Sequence, residues 1–232
     1  MVKGGFRDMA RGKILAIVGI SGTGKTTLAE DAASRSYVNP ASGKSYKVGV
    51  LNSGTVMNEL VTKKNPGLDV DKMRYALNFS ESKKYQELVA KKVAKAAKNY
   101  DLLLLTTHAY APTYYEECAT PAAAKSSCGC YYVPSFTKDT LRHFKNQLYG
   151  IVNVVAPAED LARRRREDAS RTRDEKPLDE IRRELCFERD AAISASMLGS
   201  AFYKEISNPD GKEKAASAEL ESLVRNVLVR EK

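Results

Sequence analysis

Short apolar segments alternate with amphipathic segments along most of this chain. The most apolar runs are typical of strands buried on both faces of a parallel sheet, and the amphipathic segments repeat with the spacing of helices. The predicted strands are 13–18, 46–51, 101–106, 151–155 and 201–206. The predicted helices are about 25–36, 55–61, 80–98, 140–148, 178–197 and 220–228. This alternation predicts an α/β fold with a parallel sheet of about five strands flanked by helices.

The first predicted strand leads directly into a loop that fits the phosphate-binding pattern G-x-x-x-x-G-K-[ST]. Its glycines allow close backbone approach, and its N–H groups at a helix N-terminus favour an anion. Lys25 would reach the β- and γ-phosphates of a nucleoside triphosphate, and the Thr26 hydroxyl would ligate Mg²⁺. A glycine-rich turn without a ligand is the alternative, and the match at every fixed position disfavours it. The residues predicted to bind ATP are Gly19, Ser21, Gly22, Thr23, Gly24, Lys25, Thr26 and Thr27.

Positive charge is concentrated in one part of the chain. The formal net charge is +9, which would suit a nucleic acid, an anionic membrane or a small polyanionic substrate. Arginines occupy positions 163–166, and Arg171 and Arg173 follow closely. Since guanidinium groups grip phosphate oxygens in a fork, this local cluster favours a phosphate-binding lid over about 157–177. A solvated helix face is the alternative for part of the run.

The termini and the cysteines limit the class of protein. Residues 1–12 lack the apolar core of a secretory signal and are interpreted as an N-terminal extension. No window reaches the length of an apolar membrane span. Four cysteines in 232 residues do not make a disulfide scaffold. We therefore expect a single domain over 13–232, in a reducing, cytoplasmic location.

Residues 109–136 show neither a helical nor a strand period. They contain several prolines and tyrosines, together with Cys118, Cys128 and Cys130. We interpret them as an irregular insert over the active-site side of the sheet. With Cys186 as a fourth ligand the cysteines could hold zinc, but their spacing matches structural zinc sites poorly, which favours free thiols.

Several further segments resemble the archaeal-type adenylate kinases, which are nucleoside monophosphate kinases. Besides the phosphate loop, the resemblance rests on 51–57 (LNSGTVM), 71–74 (DKMR), 106–108 (TTH), 132–135 (YVPS), and Arg164-Arg165 followed by 171–174 (RTRD). It extends from about Lys13 to the C-terminus. The resemblance implies a P-loop fold with an arginine-rich lid and Mg²⁺-dependent phosphoryl transfer from ATP to AMP, giving two ADP. It also suggests a homo-oligomer, often a trimer in this family.

The resemblance assigns roles to individual residues. The segment of about 52–80 would bind the acceptor. The residues expected to contact AMP are Ser53, Gly54, Thr55, Met57, Arg74 and His108. Those expected to act in catalysis are Lys25, Arg74, Arg164, Arg165, Arg171 and Arg173. For Arg74 a solvated surface position is the alternative, and Ser53, Gly54 and Thr55 could instead cap a helix.

One position departs from the family pattern. The family has an Asp just before its Thr-His pair, and here Thr106 stands in its place. Because such a carboxylate holds Mg²⁺ through water in many phosphate-loop enzymes, we expect slower turnover or an altered metal preference.

The residues by themselves also allow two other functions. One is a small-molecule kinase acting on CMP, UMP or a non-nucleotide acceptor. The other is a nucleotide-dependent assembly factor that binds RNA and hydrolyses ATP slowly. The sequence shows no RNA-binding signature, which argues against nucleic acid as a partner.

Overall fold

The computed structural model describes residues 12–64, 66, 77, 79–114, 130–144, 146–168 and 176–229. Within these ranges strands and helices alternate, as the hydrophobic pattern predicts. The elements are β1 (Lys13–Val18), α1 (Lys25–Ser34), β2 (Tyr37–Val38), β3 (Ser45–Tyr46), β4 (Val48–Asn52), α2 (Ser53–Lys64), α3 (Phe79–Ala97), β5 (Leu102–Thr106), β6 (Tyr110–Tyr114), β7 (Cys130–Pro134), α4 (Lys138–Phe144), β8 (Leu148–Val155), α5 (Ala158–Glu167), α6 (Leu178–Gly199), β9 (Phe202–Ser207) and α7 (Glu213–Val229).

Five strands form one parallel sheet in the order β4-β5-β1-β8-β9. The predicted parallel sheet of about five strands is therefore confirmed. Since β1 and β5 are neighbours and run in the same direction, the segments that follow them meet at one edge of the sheet. Open α/β sheets bind their ligands at this edge.

Helices cover both faces of the sheet, because alternate side chains of each strand point in opposite directions. On one face Ala16 and Val18 pack with residues of α3, α4 and α6. On the other, Leu15 and Ile17 pack with α1 and α7. Burial on both faces explains why β1 and β5 are almost wholly apolar.

The helix and strand before the charged segment begin earlier than predicted. We expected a helix over 140–148 and a strand from 151, but α4 spans Lys138–Phe144 and β8 begins at Leu148. The helix begins there because Thr137 and Thr140 cap it reciprocally. The Thr140 N–H donates to Thr137 Oγ1 at 3.2 Å, and the Thr137 N–H donates to Thr140 Oγ1 at 2.8 Å.

The interpretation of 109–136 as irregular was wrong for its two ends. Tyr110–Tyr114 and Cys130–Pro134 pair as antiparallel strands, with Pro112 opposite Tyr132. A two-stranded arm is held by backbone hydrogen bonds, so it needs no alternating side-chain pattern, and proline is tolerated at a sheet edge. A second two-stranded element, β2–β3, was also missed. Residues 115–129 lie outside the described part of the chain.

Candidate active site

The phosphate loop follows β1 and bends where only glycine fits. Gly19 has φ 150°, and a Cβ there would lie 2.5 Å from the Val154 carbonyl oxygen. Gly24 has φ 82°, and its Cβ would lie 2.6 Å from Asn208 Nδ2. The loop therefore packs closely against the ends of β8 and β9. Its glycines allow this approach as well as the turn.

The N-terminus of α1 is arranged to receive an anion. Gly24 is its N-cap, no side chain caps the helix, and its first turn has no acidic residue. Lys25 and Thr26 are half-buried and Thr27 is exposed. The first backbone N–H groups and the helix dipole thus present partial positive charge, as a phosphate site requires.

Thr23 stabilises the loop internally. Its side chain is fully buried, and both its N–H and its hydroxyl donate to the Ile20 carbonyl, at 3.3 and 3.0 Å. The Lys25 ammonium also donates to this carbonyl, at 3.4 Å. The Thr23 hydroxyl is therefore part of the loop's framework in this structure.

Three successive carbonyls of the loop each accept a hydrogen bond from a side chain elsewhere in the fold. Arg165 Nε donates to the Ser21 carbonyl at 2.9 Å, and Arg164 Nη1 to the Gly22 carbonyl at 3.2 Å. Asn208 Nδ2 donates to the Thr23 carbonyl at 2.8 Å. We call Arg164, Arg165 and Asn208 the carbonyl clamp. Because a peptide's C=O and N–H point in opposite directions, fixing these carbonyls also fixes the directions of the adjoining N–H groups.

Both clamp arginines are held by acidic partners and are largely buried. Arg164 Nε donates to Asp210 Oδ1 at 2.7 Å, and Arg165 Nη2 to Glu184 Oε2 at 3.2 Å. Their side chains are 19% and 10% exposed. These contacts place the two arginines against the outside of the loop. Arg171 and Arg173 lie outside the described residues, and the predicted lid stays a prediction.

The predicted acceptor residues lie at the ends of β4 and β5. Ser53 Oγ donates to Thr107 Oγ1 at 2.7 Å. Asn52 Oδ1 accepts from the Gly54 and Thr55 N–H groups at 2.8 and 3.3 Å, so Asn52 caps α2. Two further predicted residues are Met57, which is half-buried against the core, and His108, which is exposed. Arg74 lies outside the described residues.

Few groups among the described residues are available for a metal ion. Thr106 is fully buried, and its Oγ1 has no hydrogen-bond partner among the described residues. Within the same part of the chain no three His, Cys, Asp or Glu side chains form a group that could hold a metal. The Thr26 hydroxyl at the start of α1 fits Mg²⁺, which usually keeps several waters and binds the substrate's phosphates. Cys186 is exposed on α6, whereas Cys118 and Cys128 lie outside the described residues.

Glu188 is the main site residue that the sequence did not reveal. It lies on α6 and is 1% exposed, and its Oε1 accepts from the Gly19 N–H at 2.8 Å and the Ala109 N–H at 2.7 Å. Burial raises the pKa of Glu188 to about 7, although the backbone donors and the positive charge of Lys25 act in the opposite direction. One signal was present: position 188 falls on the apolar face of α6 with Ile181 and Ala192.

Comparison with known proteins identifies the family of this chain. A family model described as an AAA domain matches residues 18–124. An adenylate kinase of Methanocaldococcus jannaschii is 28% identical over 200 residues, covering 86% of this chain and 92% of the relative. An adenylate kinase of Pyrococcus horikoshii is 30% identical over 199 residues, covering 86% of this chain and 88% of the relative. The chain belongs to the adenylate kinase family.

Membership of the adenylate kinase family makes this protein a nucleoside monophosphate kinase, as the resemblance predicted. A solved structure of a Deinococcus radiodurans tunicamycin resistance protein shares the fold. Its TM-score is 0.51 at 15% identity, over 92% of this chain and 96% of the other. Among the described residues no helix is long and apolar enough to cross a membrane.

Proposed function

We propose that this protein is an adenylate kinase, which transfers a phosphoryl group from ATP to AMP with Mg²⁺ and releases two ADP. The observation that carries the proposal is the geometry of the phosphate loop. No side chain caps the N–H groups at the start of α1, and the carbonyl clamp binds the carbonyls of the loop. The names of the archaeal relatives support the choice of AMP as acceptor.

Phosphoryl transfer depends on positioning and on neutralising charge that spreads over the phosphate oxygens. In this proposal the loop N–H groups and Lys25 bind the donor phosphates. Thr26 would hold Mg²⁺ together with those phosphates, and the ion supplies further neutralisation when it is bound. The expectation that Thr106 alters metal use remains a prediction.

The acceptor would bind beside the ends of β4 and β5. Ser53, Gly54, Thr55, Met57 and His108 are the described candidates for contacting AMP. Arg74 is proposed for its phosphate, and Arg171 and Arg173 for the lid that closes over both nucleotides, on the strength of the family resemblance. Closure of this kind excludes water, which would otherwise accept the phosphoryl group.

The family relationship also supports a proposal about the location of the protein and one about its oligomeric state. We infer a cytoplasmic enzyme that forms a homo-oligomer, with a trimer as the first state to test. Sedimentation at several protein concentrations measures the oligomeric state directly. A monomer at every concentration would contradict that part of the proposal.

The function is tested by measuring ADP formation from Mg·ATP with and without AMP. We expect strong stimulation by AMP, and less by CMP, UMP or GMP. Lys25→Ala should lower kcat by about 10²–10³-fold, since it removes a charged donor to the transferred group. Lys95→Ala, at an exposed position on α3, is the matched control and should leave kcat unchanged.

Each other outcome identifies a different function. Preference for CMP or UMP would make the protein another small-molecule kinase on the same scaffold. Slow ATP hydrolysis that ignores every acceptor and accompanies salt-sensitive RNA binding would overturn the kinase proposal.

A further inference from the structure

Glu188 connects two segments that belong to different halves of the proposed site. Gly19 is the first residue of the phosphate loop, which would hold the donor. Ala109 follows Thr107 and His108 at the end of β5, beside the predicted acceptor residues. The Glu188 Oε1 accepts an N–H from each, at 2.8 and 2.7 Å, so a single oxygen atom links the two segments.

The Glu188 hydrogen bonds lie where they can strongly influence the distance between these two segments. Glu188 is 1% exposed, and hydrogen bonds to a buried carboxylate gain strength because water does not compete for it. The pairing of β1 with β5 in parallel fixes the two strands up to Ile17 and Thr106. Beyond that pair the Thr107 N–H still donates to the Ile17 carbonyl at 3.1 Å, and Glu188 then bridges the two segments from a third element, α6.

We propose that Glu188 is a positioning residue that sets the separation between the donor and acceptor halves of the site. This inference rests on the proposed function, since it assumes two nucleotides bound side by side. Holding two reactants at the correct distance is the main protein contribution to phosphoryl transfer. A misplacement of about 1 Å can lower the rate by about 10²-fold.

The two oxygens of the carboxylate make the proposal testable. Oε1 accepts both hydrogen bonds, whereas Oε2 has no hydrogen-bond partner among the described residues. Glutamine keeps an acceptor oxygen at the Oε1 position and has the same shape, so Glu188→Gln should retain the bridge. Glu188→Leu keeps a similar volume but leaves both N–H groups without this acceptor.

The experiment measures kcat and the dissociation constants of ATP, of AMP and of a bridged inhibitor, P1,P5-di(adenosine-5′) pentaphosphate. This probe joins two adenosines through five phosphates, and it binds tightly only if both half-sites are correctly spaced. Asp190→Asn, at an exposed position on the same helix, is the matched control.

We expect Glu188→Leu to lower kcat and the affinity for the bridged inhibitor by about 10²-fold. Its affinities for ATP alone and AMP alone should change by less than about fivefold, since each half-site remains intact. Glu188→Gln should stay within about fivefold of the wild type in every measurement, because the bridge is kept. Asp190→Asn should match the wild type.

Other results would overturn the inference. Equal losses of ATP and bridged-inhibitor affinity in Glu188→Leu would mean that Glu188 only maintains the phosphate loop, and an unchanged kcat would remove the role altogether. If Glu188→Leu does not fold, Glu188→Asp, whose shorter side chain cannot reach both N–H groups equally well, must show the same separation of effects. Wild-type protein that binds the bridged inhibitor no more tightly than ATP would instead contradict the proposed function.

Discussion

The phosphate loop and the acceptor side both follow strands of the same sheet, but they are held in different ways. The loop is fixed by residues far away in the chain: the carbonyl clamp comes from α5 and the end of β9, and Glu188 comes from α6. Among the described acceptor residues, Asn52 caps its own helix, and the Ser53–Thr107 hydroxyl pair joins two neighbouring strands. The donor half is therefore held mainly by charged side chains from distant elements, and the acceptor half mainly by neutral contacts at the strand ends, while Glu188 reaches both.

This difference has a consequence for catalysis. A phosphate site works best when its donors are oriented before the ligand arrives, because no reorganisation is then needed during the reaction. The buried clamp meets that requirement. Apart from the Glu188 contact to Ala109, the acceptor side relies on neutral hydroxyl and amide contacts, each of which contributes about 0.5–1.5 kcal/mol. Substitutions in the two halves should accordingly have effects of different magnitude and should change different kinetic constants.

Between a clamp residue and an acceptor residue, the larger kinetic effect is expected at Arg165 of the clamp. Arg165→Met removes the donor to the Ser21 carbonyl and one of the two cations that contact the Glu184 carboxylate among the described residues, so that Lys176 remains. We expect kcat/KM for ATP to fall by about 10²-fold, since the N–H groups of the loop lose a contact that orients them and a misplacement of about 1 Å can cost this much. Steady-state kinetics against Arg166→Met, at the exposed neighbouring position, checks this. Equal losses in both variants would show that only the overall charge of α5 matters.

A smaller effect is expected on the acceptor side. Ser53→Ala removes the donor to Thr107 Oγ1. The KM for AMP should rise by about three- to tenfold while the KM for ATP stays the same, in line with the loss of one neutral hydrogen bond. Ser45→Ala, at an exposed position in β3, is the control. A larger change in the KM for ATP would contradict the separation of the two halves.

A separate effect, on stability rather than on kinetics, is expected from Glu188. Because burial raises its pKa from 4.5 to about 7, the folded protein holds a proton there that the unfolded chain has lost between these pH values. The free energy of unfolding should therefore decrease as pH rises from about 4.5 to about 7 and level off above that. The glutamine of Glu188→Gln does not titrate. The wild type should therefore become less stable relative to this variant as pH rises from about 4.5 to about 7. Urea unfolding of both proteins at several pH values measures the difference, and parallel curves would contradict the assignment.

Much of the fold could be predicted from local pattern. The runs in β1 and β5 are so apolar that only a sheet covered on both faces can bury them. The glycine spacing after β1 likewise predicts one kind of loop, a phosphate loop. Any side chain at Gly19 would collide with the Val154 carbonyl. The β6–β7 arm was missed because backbone pairing at an edge leaves no side-chain period. The start of α4 was misplaced because two threonines, an unusual pair, form its cap.

The sequence by itself determined the class of fold, the phosphate loop and membership of a kinase family. These depend on residues that are close together in the chain, and their spacing is visible without a structure. Only the tertiary structure decided that Arg164 and Arg165 contact the loop's carbonyls, that Asn208 completes this clamp and that Glu188 reaches Gly19 across 169 residues. A buried polar side chain acquires its role from the groups that folding brings to it, because each buried donor or acceptor must find a partner wherever the chain supplies one.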